Sequence, residues 1–298
     1  MRRGTRWWTA AVVGLSAVGL IAVPAPAVAK NSQCAPAVVM PIRGSGDGSV
    51  GAKRYGDMVT EGWEGATLSH LLTETYRDQP SIRAVPVLSV GRGYQAVGTE
   101  DGIRHRSFGR SIASGVSTAV AAYDSARSKG SPGCAPMVVL VGFSQGAAVA
   151  RGVAVELAKR SVVAAAVLMG DPLQKPEADG VMGTGDRGQG IWRNPFGALA
   201  SGVDAKGIDA YYSLPGIRRM SVCHVGDPVC DFRLGTDISG HPHTTYLADS
   251  TRFQTASGAT PLGPSELDVL AATLRGDILW AAEQYTPASE SWTGFERT

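Results

Sequence analysis

Gly142-Phe143-Ser144-Gln145-Gly146 sets a serine between two glycines, each two positions away. The apolar run 137–141 precedes it and the Ala-rich segment 147–159 follows. A G-x-S-x-G pentapeptide means little alone, but at a strand–turn–helix junction it can form a nucleophile elbow. The turn is sharp, so residues two positions either side of the serine must lack bulk. The following helix then points its free N–H groups at the hydroxyl. The chemistry such a serine performs is attack on an acyl carbon. The plainer reading is a helix-capping serine with glycines for packing, and the buried strand before it favours the nucleophile.

A serine hydroxyl is a poor nucleophile at neutral pH and needs a general base. The chain has five histidines. His70 falls on a helical pattern and is expected at the surface. His105 lies between Arg104 and Arg106 and reads as solvated. His224 sits within an apolar run beside Cys223 and is expected to point inward. His241 and His243 flank Pro242 late in the chain. At this type of elbow the acid and then the histidine follow the nucleophile, which leaves His241 or His243 as the base. Asp227, on a turn between Cys223 and Cys230, is the natural acid to orient it. Asp171 shares the Gly-Asp-Pro context and is the rival, with Asp231 and Asp237 weaker. An acyl-transfer oxyanion also needs preset donors. One is the backbone N–H of Gln145, and the second is expected from the loop after the first strand.

The elements that must position these groups follow from apolar patterning. Residues 37–42, 137–141, 162–169 and 217–225 read as strands, and 82–90, interrupted by proline, as an edge-like strand. Helical spacing covers 63–76, 112–123, 147–159 and 266–283. Strands alternating with helices imply a parallel sheet covered on both faces, an α/β architecture. Residues 180–207 break this rhythm with a Gly-rich stretch and are expected as an insertion loop, either a flap in which Trp192 and Phe196 meet lipid or a solvated loop. Residues 91–110 read as a polar, Arg-rich loop.

The N-terminus has the pattern of an export signal: Arg2, Arg3 and Arg6, an apolar run over 7–23, then Ala27-Val28-Ala29. The expected division is a signal peptide at 1–29, one domain over 30–285 and a polar tail over 286–298. The signal carries 3 of 28 basic residues and none of 26 acidic ones, so the rest is nearly neutral. A nucleic-acid partner, which needs a basic face, is not expected. All four cysteines, Cys34, Cys134, Cys223 and Cys230, follow the signal. An even count in an exported chain favours disulfides, and the spacings lack the C-x-x-C pair of a zinc site. Cys223 and Cys230 are near neighbours that suit a local staple, which leaves Cys34 for Cys134.

Four blocks resemble the cutinase family: Arg43-Gly44-Ser45, Gly142-Phe143-Ser144-Gln145-Gly146, Cys223-His224-Val225-Gly226-Asp227-Pro228-Val229-Cys230 and His243-Thr244-Thr245-Tyr246. The cysteine pair framing Gly-Asp is the most specific of them. The resemblance covers roughly residues 34–283 and implies a single α/β-hydrolase domain with a central parallel sheet and helices on both faces. It implies Ser144, Asp227 and His243 as catalytic triad, selecting Asp227 over Asp171 and His243 over His241. It points to Ser45 as the partner of Gln145 in the oxyanion hole, and it supports the Cys34–Cys134 pairing. No metal or organic cofactor is implied. The expected activity is that of a secreted, monomeric serine esterase without a membrane anchor, acting on carboxylic esters at a lipid or polyester surface. The family also contains thioesterases and phospholipases, and a catalytically idle binding module on the same scaffold is the competing class.

Overall fold

Residues 37–42, 137–143 and 163–169 are apolar on both faces of their pleats, so each needs cover on two sides. The computed structural model describes residues 34–128, 133–176, 181–183, 188–193, 205–233, 242–255, 258–259 and 263–286, and sets these three runs side by side. In chain order the elements are β1 (Ala37–Ile42), the hairpin strands β2 (Lys53–Tyr55) and β3 (Met58–Thr60), α1 (Gly65–Tyr76), α2 (Thr99–Arg104), α3 (Phe108–Ser128), β4 (Met137–Phe143), α4 (Gln145–Ala158), β5 (Val163–Met169), β6 (Val181–Gly183), α5 (Ala205–Tyr212), β7 (Arg218–Val222), β8 (Gln254–Thr255), β9 (Gly258–Ala259) and α6 (Glu266–Gln284). The main sheet has the order β1-β4-β5-β7-β6 and every pairing in it is parallel.

Alternate residues of each strand go to opposite faces, and two cores result. On one side Val39, Val139, Val141, Ala165 and Val167 pack with Leu68, Leu71, Leu72, Leu274 and Ile278 of α1 and α6. On the other, Val38, Met40, Val138, Leu140, Ala166 and Leu168 pack with Val149, Val153 and Leu157 of α4 and Ala119 and Tyr123 of α3. The α/β arrangement read from the sequence, a central parallel sheet with helices on both faces, is the one observed.

Three segments differ in detail from their reading. Residues 82–90 dock on β1 through a single bridge, Val39 to Val87. Val39 N–H donates to the Pro86 carbonyl at 2.9 Å, and Leu88 N–H to the Val39 carbonyl at 2.8 Å. Pro86 has no N–H of its own, so the ladder cannot continue. Residues 91–110 contain α2 and the start of α3. Helix α2 places Glu100 and Asp101 in its first turn and Arg104 in its last, the arrangement a helix dipole favours, and Glu100 pairs with Arg104. Within 180–207, β6 adds a fifth strand beyond β7, and α5 begins at Ala205. Trp192 turns inward, packs with Ala148, Leu173 and Ile208, and donates its indole N–H to the Gln174 carbonyl at 3.1 Å. Phe196, residues 1–29, read from the sequence as an export signal, and the tail beyond 286 lie outside the described residues. No described helix is long and apolar enough to cross a membrane.

One core carboxyl makes stability depend on pH. Asp277 of α6 is 1% exposed, and its pKa is raised to about 6 by burial, partly countered by Arg218 at 3.1 Å. The folded state therefore holds this proton more tightly than the unfolded chain, and stability falls as pH rises from about 4 through about 6. Asp277→Asn is expected to raise Tm relative to the parent more at neutral pH than at about pH 4. Thermal unfolding at the two pH values checks this, and an equal shift at both would contradict it.

Candidate active site

Ser144 joins the end of β4 to the start of α4 with φ 55° and ψ −124°, a backbone shape that costs a non-glycine residue about 1–3 kcal/mol. The flanking glycines make the turn possible. A methyl group at Gly146 would stand 2.0 Å from the Ile42 carbonyl oxygen, and one at Gly142 would stand 2.6 Å from Ala147 Cα. The Ser144 N–H donates to the Met169 carbonyl at 2.9 Å, so β5 helps to hold the turn. Gln145 is the first residue of α4, so its N–H has no partner within the helix.

His243 lies in the turn Pro242–Thr244, and its Nε2 is 2.8 Å from Ser144 Oγ. Its Nδ1 is 2.9 Å from Asp227 Oδ2 and 3.0 Å from Oδ1. Phe143, next to the serine, stacks on the imidazole at 5.2 Å. Asp227 is fully buried in the loop between Cys223 and Cys230. Burial alone would raise its pKa. The bond to His243, the Val229 N–H at 2.8 Å and the Tyr246 hydroxyl at 2.7 Å outweigh burial and hold the carboxyl below its ordinary value. A hydrogen-bonded series of serine, imidazole and ionised carboxylate can move a proton off the hydroxyl and stabilise the imidazolium that results.

The Ser45 side of the site is built on the β1–α1 connection. Arg43 is 2% exposed and lies between the Trp63 and Tyr94 rings at 5.0 and 4.9 Å. Its guanidinium donates to the carbonyls of Asp47 at 2.9 Å, Val90 at 2.7 Å and Trp63 at 3.3 Å, and also to that of Tyr94. The loop that presents Ser45 is thus tied to the loop after β1's edge partner. The Gln145 amide donates to Ser45 Oγ at 2.9 Å and to the Val97 carbonyl at 3.2 Å. Its oxygen accepts from the hydroxyls of Ser111 at 2.6 Å and Tyr94 at 3.2 Å. With its oxygen engaged by Gln145, the Ser45 hydroxyl keeps its own proton to donate.

The structure thus brings Ser144, Asp227, His243, Ser45 and Gln145 into one neighbourhood. Asp171 is elsewhere: one oxygen pairs with Arg151 and the other accepts the Leu173 N–H at 2.9 Å, in a fully buried setting. Asp231 accepts the Gly226 N–H at 2.9 Å and pairs with Arg233. His241 and Asp237 lie outside the described residues. His70 and His105 are exposed, and His224 is buried against Glu266. Cys34 is bonded to Cys134, tying the approach to β1 to that of β4, and Cys223 is bonded to Cys230 across Cα atoms 5.8 Å apart. The supporting roles of Arg43, Tyr94, Ser111 and Glu266 were not read from the sequence. Arg43 and Tyr246 had a local signal, their places in the Arg43-Gly44-Ser45 and His243-Thr244-Thr245-Tyr246 blocks.

The sequence model of the cutinase family matches residues 55–257. Among solved structures, the chain is similar to a cutinase-like protein from Cryptococcus sp., with 17% identity and a TM-score of 0.48 over 84% of this chain and 97% of that one. It is also similar to Trichoderma reesei cutinase in complex with a C11Y4 phosphonate inhibitor, with 19% identity and a TM-score of 0.40 over 85% and 78% of the two chains. No curated protein matches the chain. The family match takes in well over half of the sequence, from the hairpin before α1 past the His243 turn, and this protein belongs to the cutinase family of ester hydrolases.

Proposed function

We propose that Ser144, His243 and Asp227 hydrolyse carboxylic esters through an acyl-enzyme. The reading is carried by the continuous hydrogen bonding from Oγ of Ser144, at the tip of a strained elbow, through His243 to buried Asp227. His243 Nε2 takes the Ser144 proton as Oγ attacks the ester carbonyl carbon. The tetrahedral oxyanion is received by the Gln145 N–H and by Ser45. As it collapses, His243 protonates the departing alcohol. Water enters, gives its proton to His243 and attacks the acyl carbon. The free acid leaves and Ser144 regains its proton. Asp227 keeps His243 in the tautomer that presents a bare Nε2 to the serine.

The substrate class is an acyl ester of short, medium or lipid chain, or a polyester of the cutin kind. An exported protein is consistent with two disulfides, which persist in oxidising compartments. The test is hydrolysis of p-nitrophenyl esters from acetate to palmitate, with a serine-reactive phosphonate as covalent label. An optimum at short chains marks a small-ester enzyme, and one at long chains a lipid hydrolase. No turnover at any length, and no label on folded protein, would leave a binding module instead.

Ser45→Ala removes one oxyanion donor while leaving the backbone in place. The expected loss is about 10²-fold in kcat, with KM little changed. A loss confined to KM would assign Ser45 to ground-state binding.

A further inference from the structure

His224 and Glu266 form a buried pair that the proton relay does not use, 3% and 0% exposed respectively. His224 Nε2 is 2.7 Å from Glu266 Oε2, and Nδ1 is 2.9 Å from the Pro242 carbonyl oxygen. A carboxylate and a carbonyl only accept, so a ring placed between them carries a proton on each nitrogen. The Thr245 hydroxyl, 3.4 Å from Nδ1, donates instead to the same Pro242 carbonyl at 3.0 Å. Glu266 is set as an anion: it opens α6, where the helix dipole favours negative charge, and its Oε1 accepts the Leu247 N–H at 3.0 Å.

The cation touches both arms of the site. Pro242 immediately precedes His243. The His224 ring lies flat on Tyr246 at 3.9 Å, its backbone N–H donates to the Tyr246 oxygen at 3.0 Å, and that hydroxyl donates to Asp227. We propose that His224, held as an imidazolium by Glu266, is a positioning residue that seats the His243 turn through the Pro242 carbonyl. This rests on the reading of Ser144, His243 and Asp227 as the catalytic set.

If the ring loses a proton, a bare nitrogen faces either the Pro242 carbonyl or the Glu266 carboxylate, and one contact turns repulsive. Among the described residues, the charged and titratable groups around the ring are Glu266 of α6, Asp227 of its own loop, and His243 and Tyr246 of the 242–247 segment. Burial works against the charge. Glu266, the Pro242 carbonyl and Asp227 outweigh it, and the proton is held above the ordinary histidine value. The seat is therefore intact at acid and neutral pH and is lost as pH rises through that raised value. The alkaline loss belongs to His224.

The experiment is pH-stat hydrolysis of a soluble butyrate ester across the pH range by the parent, His224→Gln, Glu266→Gln and Ser144→Ala. The parent should lose kcat reversibly at alkaline pH. His224→Gln should lower neutral kcat about 10- to 100-fold with KM nearly constant, and should lack the alkaline loss. In Glu266→Gln the alkaline loss should move to lower pH by about one unit or more. If His224→Gln does not fold, the Glu266→Gln profile decides. An alkaline loss absent from the parent, or unmoved in the folded variants, overturns the proposal. Full activity in Ser144→Ala would instead remove the catalytic reading beneath it, whereas an inactive Ser144→Ala beside unmoved profiles overturns the His224 role alone.

Discussion

Ser144→Ala is expected to lower kcat by about 10⁶-fold on any ester the protein turns over, and to abolish labelling by a phosphonate. Without the hydroxyl, His243 and Asp227 have no nucleophile to activate, and only the oxyanion donors and substrate binding remain. Those alone leave a residual rate on the order of 10³–10⁴ above water. The fold should survive the change. Ser144 Oγ bonds to His243, while the turn is held by the backbone bond to Met169 and by space at Gly142 and Gly146. The variant should thus unfold near the parent Tm with an unchanged circular dichroism spectrum. Retained activity and labelling would place the nucleophile on a different serine.

The second large effect separates two Gly-Asp-Pro sequences. Asp227→Asn should cost about 10⁴-fold in kcat. The asparagine amide would donate toward His243 Nδ1, which puts the ring's proton on Nε2, aimed at Ser144, and leaves no base there. Asp171→Asn should do something different. It leaves Arg151, 3% exposed and stacked near Tyr211 and Tyr212 at 4.4 and 4.5 Å, without its carboxylate. Breaking a buried ion pair from one side costs about 3–5 kcal/mol, while turnover per folded molecule stays close to the parent. Denaturant unfolding together with active-site titration measures both quantities. The reverse pattern, activity lost in Asp171→Asn and kept in Asp227→Asn, would exchange the two roles.

The sheet and its main helices were legible because their information is local. A strand buried on both faces must be apolar throughout, as 163–169 is, and a helix on the sheet must repeat its apolar face, as 266–284 does. The elbow was legible for a similar reason, since the steric demand at Gly142 and Gly146 acts on residues two positions from the serine. The edge segment 82–90 shows where local reading ends: its β-branched residues argue for a strand, but Pro86 lacks the N–H that a second bridge needs.

Choices between chemically equal residues were not local. Asp171 and Asp227 sit in the same three-residue context. What distinguishes them is that Arg151 comes from α4 to meet one and His243 comes from a turn 16 residues away to meet the other. Family resemblance selected Asp227 in advance, but no spacing within the chain could. The pairing of His224 with Glu266 spans 42 residues, and that of Gln145 with Ser45 spans 100. The sequence by itself determined which segments would be buried, where the chain would turn sharply and which residue types were present for acyl chemistry. Only the tertiary structure decided which carboxylate meets which partner, because that depends on where distant segments converge after the sheet has formed, and side-chain periodicity records one segment at a time.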